Sequence, residues 1–170
     1  MSTHCEQISA RLGRTLLARE WSISTAESCT GGGVAQAITA VAGSSSWFEV
    51  GFVTYSNEAK QRLLGVDSNC FNGPSAPGAV SEEVAQAMAI GALHSASAQC
   101  SVSTTGIAGP RGGSAQKPVG TVFIGAAWRD EDGSIRCEVG KFHFPGDRRQ
   151  VREATVVTAL EFILKLINTE

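Results

Sequence analysis

Apolar residues recur at helical spacing in the first twenty residues, at Ile8, Leu12, Leu16 and Leu17, which predicts an amphipathic helix that lays one stripe on a core. Residues 21–26 then read as a short strand, and the glycines that follow open a second helix through Val34, Ala35, Ile38 and Val41, stopped by Gly43 and three serines. Residues 48–55, rich in β-branched and aromatic side chains, predict a second strand. Asn57 follows as the N-cap of a short helix ending near Gly65. Residues 67–78 carry Asn72-Gly73-Pro74 and Pro77 and read as a loop. Ser81 caps the next helix, with Glu82 and Glu83 in its first turn and a narrow stripe of Val84, Ala87, Met88, Gly91 and Ala92.

Residues 100–107 predict a third strand and residues 119–128 a fourth, which Asp130-Glu131-Asp132-Gly133 joins to a fifth over 136–144. That connection is a hairpin signal, so the last two strands should be antiparallel. A closing helix from about Asp147 buries Val156, Leu160, Ile163, Leu164 and Ile167. Strands alternating with helices predict a three-layer α/β/α sandwich with a mostly parallel mixed sheet and one antiparallel hairpin. The expected organisation is one domain over residues 1–170, without internal repeats.

Charge narrows the function. A net charge of −2 argues against a broad surface for nucleic acid or anionic membrane, so an anion site must be local. The start of the chain, with His4, Glu6, Arg11 and Arg14, has no apolar stretch of signal-peptide length, and no segment has the length and apolarity to span a bilayer. The five cysteines, Cys5, Cys29, Cys70, Cys100 and Cys137, are odd in number and form no C-x-x-C pair. This argues against both a disulfide framework and a zinc cage, and the expected location is the cytoplasm.

Candidate chemistry gathers where the first strand meets the glycines, at Thr25-Ala26-Glu27-Ser28-Cys29-Thr30-Gly31-Gly32-Gly33. Glycines let the backbone approach a ligand, and a helix start offers N–H donors to a developing oxyanion. Ser28 is the candidate nucleophile; the plainer reading is that Ser28 or Thr30 only caps the helix. The segment is not the G-x-S-x-G elbow. Cys29 is a rival nucleophile, since a helix N-terminus lowers a thiol pKa, although small buried cysteines are common. His4, His94 and His143 show no convergence on Ser28, so a Ser-His-Asp triad is not indicated.

Lys60 is the better base. It shares a helix face with Leu63 and Leu64, and an ammonium drawn into apolar surroundings has its pKa lowered, although a lone lysine ordinarily snorkels to solvent. Tyr55, the one tyrosine in the chain, ends the second strand, where parallel-sheet sites gather. The loop Thr104-Thr105-Gly106-Ile107-Ala108-Gly109-Pro110-Arg111-Gly112-Gly113 suits a phosphate or a planar polar group, or is simply a connection; it matches neither G-x-x-x-x-G-K-S/T nor G-x-G-x-x-G. Arg148, Arg149 and Arg152 open the last helix, where the dipole disfavours cations. Either Asp147 and Glu153 compensate them or a bound phosphate does.

At these residues the chain resembles the CinA C-terminal-domain family, whose stand-alone members include nicotinamide-mononucleotide deamidases. The matching motifs run in order through nearly the whole chain: Ala26-Glu27-Ser28-Cys29-Thr30-Gly31-Gly32, Val53-Thr54-Tyr55-Ser56-Asn57 with Lys60, Gly78-Ala79-Val80-Ser81-Glu82, Thr105-Gly106-Ile107-Ala108-Gly109-Pro110, Lys117-Pro118-Val119-Gly120, and Gly146-Asp147-Arg148 with Arg152.

The resemblance implies an α/β/α fold and hydrolysis of the carboxamide of nicotinamide mononucleotide to nicotinic acid mononucleotide and ammonia. It implies Ser28 as nucleophile with Lys60 and Tyr55 as activating groups, and a nucleotide site drawn from Glu27, Cys29, Thr30, Gly31, Gly32, Thr105, Gly106, Ala108, Gly109, Arg148 and Arg152. No metal or cofactor is expected. The expected partner is the small-molecule nucleotide, with no nucleic acid and no membrane, and the expected assembly is a symmetric homodimer. Pro77 stands where the family usually has histidine, Arg111 where it usually has aspartate, and Ser114 where it usually has threonine. Arg111 and Pro77 motivate a second reading: a catalytically silent nucleotide-binding or interaction domain of the same fold.

Overall fold

The computed structural model describes residues 3–168. Its order is α1 (Thr3–Ala18), β1 (Ile23–Glu27), α2 (Gly33–Thr39), β2 (Phe48–Val53), α3 (Asn57–Leu64), α4 (Glu82–Ser95), β3 (Cys100–Gly106), β4 (Thr121–Arg129), β5 (Ile135–His143) and α5 (Arg148–Ile167), with short 3-10 turns at Ser44–Ser46 and Ser68–Cys70. Residues 1 and 2, included in the predicted first helix, lie outside the described residues.

The five strands form one sheet in the order β2-β1-β3-β4-β5, with β1 parallel to both β2 and β3, and β4 antiparallel to both β3 and β5. The sheet is therefore mixed, and β4–β5 is the predicted hairpin; the β3–β4 pairing adds a second antiparallel ladder. The larger core lies where α1, α2 and α5 cover one face, around Ile8, Leu12, Leu16, Ile38, Val102, Ile124, Leu160 and Ile163. On the opposite face α3 and α4 bury Leu64, Val66, Val84, Met88 and Ala92. These three layers bury apolar side chains on both sides of β1, which explains why all five of its residues are buried rather than alternating.

Two sequence expectations shift for local reasons. Leu17 is 51% exposed, because the buried stripe of α1 follows Cys5, Ile8, Leu12 and Leu16, and one further residue turns about 100° away from it. The first strand starts at Ile23, because the Trp21 N–H is taken by Leu16 O at 2.9 Å in closing α1 and cannot join a ladder.

The fit of α4 on the sheet is close and partly polar. Ser101 Oγ donates to Ala89 O and Ser103 Oγ donates to Ala85 O, both at 2.6 Å, so two buried hydroxyls of β3 are satisfied by helix carbonyls. Gly125 of β4 makes this approach possible: a Cβ there would sit 2.6 Å from Ala85 O.

Candidate functional site

The Ser28 segment leaves the middle of the parallel part of the sheet. Glu27 O accepts the Thr54 N–H, and the Ser28 N–H donates to Thr104 O, each at 2.9 Å, so both neighbouring strands hold the backbone of Ser28 one residue past the end of β1. Gly31 and Gly32 then take φ of +58° and +95°, which lets the chain turn sharply into α2 without the strain a side chain would bring.

The helix cap comes from an unexpected residue. Neither Ser28 nor Thr30 caps α2; Gly32 occupies the N-cap position without a side-chain cap bond. The Glu27 carboxylate, 1% exposed, does that work: Oε2 accepts the N–H groups of Gly32 and Val34 at 3.0 Å and the Thr30 hydroxyl at 2.7 Å, and Oε1 accepts the Ala35 N–H at 2.8 Å. A buried carboxylate with four donors at a helix start is well compensated. Glu27 and Thr30 thus brace the loop from behind, with Thr30 Oγ1 also 2.7 Å from Thr104 Oγ1.

Ser28 faces Lys60. The Lys60 ammonium donates to Ser28 Oγ at 3.1 Å and to Thr54 O at 2.8 Å. Lys60 itself is 1% exposed, and among the described residues no carboxylate pairs with it. Helix α3 delivers it: Ser56, rather than Asn57, is the N-cap and accepts the Ala59 N–H at 3.0 Å, which sets Lys60 one turn into the helix. The predicted buried face is narrower than expected, since Leu64 is buried while Leu63 is 42% exposed. Burial lowers the Lys60 pKa from its ordinary value, because desolvation penalises the ammonium. A charged Cys29 would oppose that shift, but burial pushes the Cys29 thiol up to about 12, so it is neutral near pH 7. The same burial removes Cys29 as a rival nucleophile, because the thiolate is the reactive form.

Ser28, Cys29 and Lys60 open into a cavity of about 210 Å³ lined also by Tyr55, Asn57, Ala79, Val80, Thr105, Gly106, Ala108 and Arg148. Tyr55 is 60% exposed at its rim, and its hydroxyl accepts from Arg148 Nη2 at 2.8 Å, while Arg148 Nη1 donates to Gly109 O at 2.9 Å. Arg148 thereby ties the two loops on either side of the mouth. The Thr105 hydroxyl donates to Ala79 O at 2.6 Å, joining two residues of the cavity wall. None of the three histidines lines this cavity.

The three arginines do not act as one cluster. Arg152 Nη2 donates to Thr30 O at 2.8 Å and lines a separate cavity of about 350 Å³ with Cys5, Thr30, Gly33, Gln36, Arg149, Glu153, Val156 and Val157. Arg149 lies 3.9 Å from Glu153 on the surface. Asp147 caps α5 in a reciprocal box with Gln150, and this offsets the cations at the helix start. Only Arg148 joins the Ser28 cavity. Arg111 is exposed and outside both cavities. Asn57, read from the sequence only as a helix cap, and Ala79 and Val80 are cavity residues that sequence reasoning did not place in the site; their signals were the Val53-Thr54-Tyr55-Ser56-Asn57 and Gly78-Ala79-Val80-Ser81-Glu82 motifs.

Residues 5–167 match the model of the CinA C-terminal domain. The chain is 51% identical over 155 residues to the nicotinamide-nucleotide amidohydrolase PncC of Escherichia coli (strain K12), covering 91% of this chain and 90% of that protein. It is 50% identical over 159 residues to the PncC of Pseudomonas putida, covering 94% of each. Among solved structures it is similar to the competence/damage inducible protein CihA from Agrobacterium tumefaciens, with a TM-score of 0.88 and 40% identity over 99% of this chain and 98% of that one. A family match across almost all of its length, joined to a shared fold, makes this chain a member of the CinA C-terminal domain family.

Proposed function

We propose that the protein is a nicotinamide-nucleotide amidohydrolase that converts nicotinamide mononucleotide and water to nicotinic acid mononucleotide and ammonia. The observation that carries this reading is the buried Lys60 amine 3.1 Å from Ser28 Oγ, with no carboxylate among the described residues to hold its proton. The relatives named for this activity supply the substrate.

Neutral Lys60 takes the Ser28 proton as Oγ attacks the carboxamide carbon. The Gly31 N–H is already spent on Ser28 O at 3.1 Å, which leaves the Cys29 N–H, on the cavity side, to receive the oxyanion. Lys60 then passes its proton to the departing nitrogen, the C–N bond breaks, and ammonia leaves an acyl ester on Ser28. Water attacks that ester with Lys60 again accepting a proton, and the acid departs as Ser28 is restored. The direct Lys60–Ser28 contact favours Lys60 over Tyr55 as the base, and leaves Tyr55, held by Arg148, for the rim of the cavity, where the ribose phosphate would lie.

The test is ammonia and nicotinic acid mononucleotide release by the purified protein, with Ser28→Ala as control. Turnover that depends on Ser28 supports the reading. Binding of the nucleotide without any turnover would point instead to the silent domain, and full activity in Ser28→Ala would remove the nucleophile.

A further inference from the structure

The motif Lys117-Pro118-Val119-Gly120 has no role in the chemistry above, yet its lysine makes a specific set of contacts. From the loop between β3 and β4, Lys117 Nζ donates to Pro77 O at 2.9 Å and to Val80 O at 2.7 Å. The intervening carbonyls are taken as well: Ser81 Oγ donates to Gly78 O at 2.7 Å and Thr105 Oγ1 donates to Ala79 O at 2.6 Å. Four successive carbonyls, at residues 77–80, are therefore held by side chains in a stretch that has no helix or strand of its own. That stretch supplies Ala79 and Val80 to the wall of the Ser28 cavity.

Lys117 has no carboxylate partner among the described residues, so its charge is directed at two carbonyl dipoles. Its own backbone is preset by a small turn, in which Ser114 N–H donates to Lys117 O at 2.9 Å and Lys117 N–H donates to Ser114 Oγ at 3.1 Å. A serine at 114 keeps this hydroxyl contact. Lys117 grips the carbonyl of Pro77 and not its side chain, so the proline found at this position leaves the grip intact.

We propose that Lys117 is a positioning residue for the amide reaction: it clamps residues 77–80 into the wall that holds the substrate ring against Ser28. The proposal rests on the amidohydrolase reading. A cavity wall without secondary structure otherwise yields to the ligand, and a misplacement of about 1 Å at a reacting centre costs on the order of a hundredfold in rate.

The test compares wild type with Lys117→Met and with Thr105→Val, which keeps the side-chain shape and removes the bond to Ala79 O. Steady-state kinetics on nicotinamide mononucleotide should show KM raised roughly tenfold or more in Lys117→Met, with kcat reduced less than KM is raised and the acid limb of the pH profile unmoved, because Lys60 is untouched. Amide hydrogen exchange should speed up over residues 70–81 and stay unchanged in β1 and α5. Thr105→Val should raise KM in the same direction, and the double variant should lose less than the product of the single losses, since both bonds hold one segment.

Unchanged KM with unchanged exchange at 70–81 would overturn the clamp, and so would exchange that accelerates equally throughout the fold. Should the wild type release no ammonia at all, the amidohydrolase reading fails, while the exchange pattern still decides whether Lys117 holds this wall.

Discussion

The Lys60 ammonium donates to Ser28 Oγ across 3.1 Å while almost wholly buried, and no carboxylate among the described residues shares its proton. An amine in this setting gives up its proton more readily than one in water, and when it does, the same contact reverses so that the Ser28 hydroxyl donates to the nitrogen. The proposed nucleophile and base are thereby coupled through a single hydrogen bond.

The first consequence is a pH dependence of activity. Only neutral Lys60 can accept the Ser28 proton, so kcat/KM should rise with pH through the lowered Lys60 pKa, below the ordinary lysine value of 10.5. The measurement is kcat/KM against pH. Lys60→Arg, which stays charged, should lose roughly 100- to 10,000-fold across the whole range. An acid limb that persists unchanged in that variant would assign it to another group.

Lys60 also shapes stability. Its folded pKa lies below its unfolded one, so between those two values the unfolded chain binds more protons, and stability rises with pH across that window. Lys60→Met, close in volume and without a charge to desolvate, should therefore fold with a Tm at least equal to that of wild type at neutral pH while losing activity. Thermal unfolding of the two proteins over pH 6 to roughly 10 checks it, since the slope with pH should be shallower in the variant. A steep loss of Tm would mean that the hydrogen bonds to Thr54 O and Ser28 outweigh the cost of burial.

Glu27 leads to a prediction of the opposite kind, stability first and activity second. Its carboxylate accepts four donors at the start of α2, and Glu27→Gln would turn an NH₂ group toward N–H donors as well as removing the charge. We expect a loss of roughly 1–3 kcal/mol in unfolding free energy, read from denaturant titration. An unchanged midpoint would show that the cap is dispensable.

How much of this was legible beforehand differs by residue. Amphipathic spacing found the α-helices, because burial of one face leaves a period in the sequence, whereas the strands were marked by their residue types and the turns that bound them, since β1, β3 and β4 are buried on both faces. The strand ends moved where one hydrogen bond decided them, as at Trp21. Lys60 could be picked out because α3 is short and Leu64 marks its inner face. Glu27 could not be recognised as a cap, since the donors that reach its carboxylate are set by how tightly Gly31 and Gly32 turn the chain back over it, and no pattern of residue types records that geometry. Nor could the separation of Arg148 from Arg152: four residues apart they share a helix flank, yet Arg148 ties Tyr55 to Gly109 while Arg152 reaches Thr30 O.

That separation gives the last prediction. Arg148 stands at the mouth of the Ser28 cavity, where a ribose phosphate would leave it, and Arg152 holds the backbone of the loop over residues 28–32 at Thr30 O from a different cavity. Arg148→Ala should therefore weaken nicotinamide mononucleotide roughly ten- to a hundredfold and free nicotinamide little, because the proposed charged hydrogen bond to the phosphate would be lost. Arg152→Ala should weaken nucleotide and free nicotinamide by similar factors, since it loosens the loop that both must face. Calorimetric titration of the two ligands against both variants, each in the Ser28→Ala background to prevent turnover, separates the roles. A loss in Arg152→Ala confined to the nucleotide would move the phosphate to the other side of the loop and assign Arg148 to the Tyr55 contact alone.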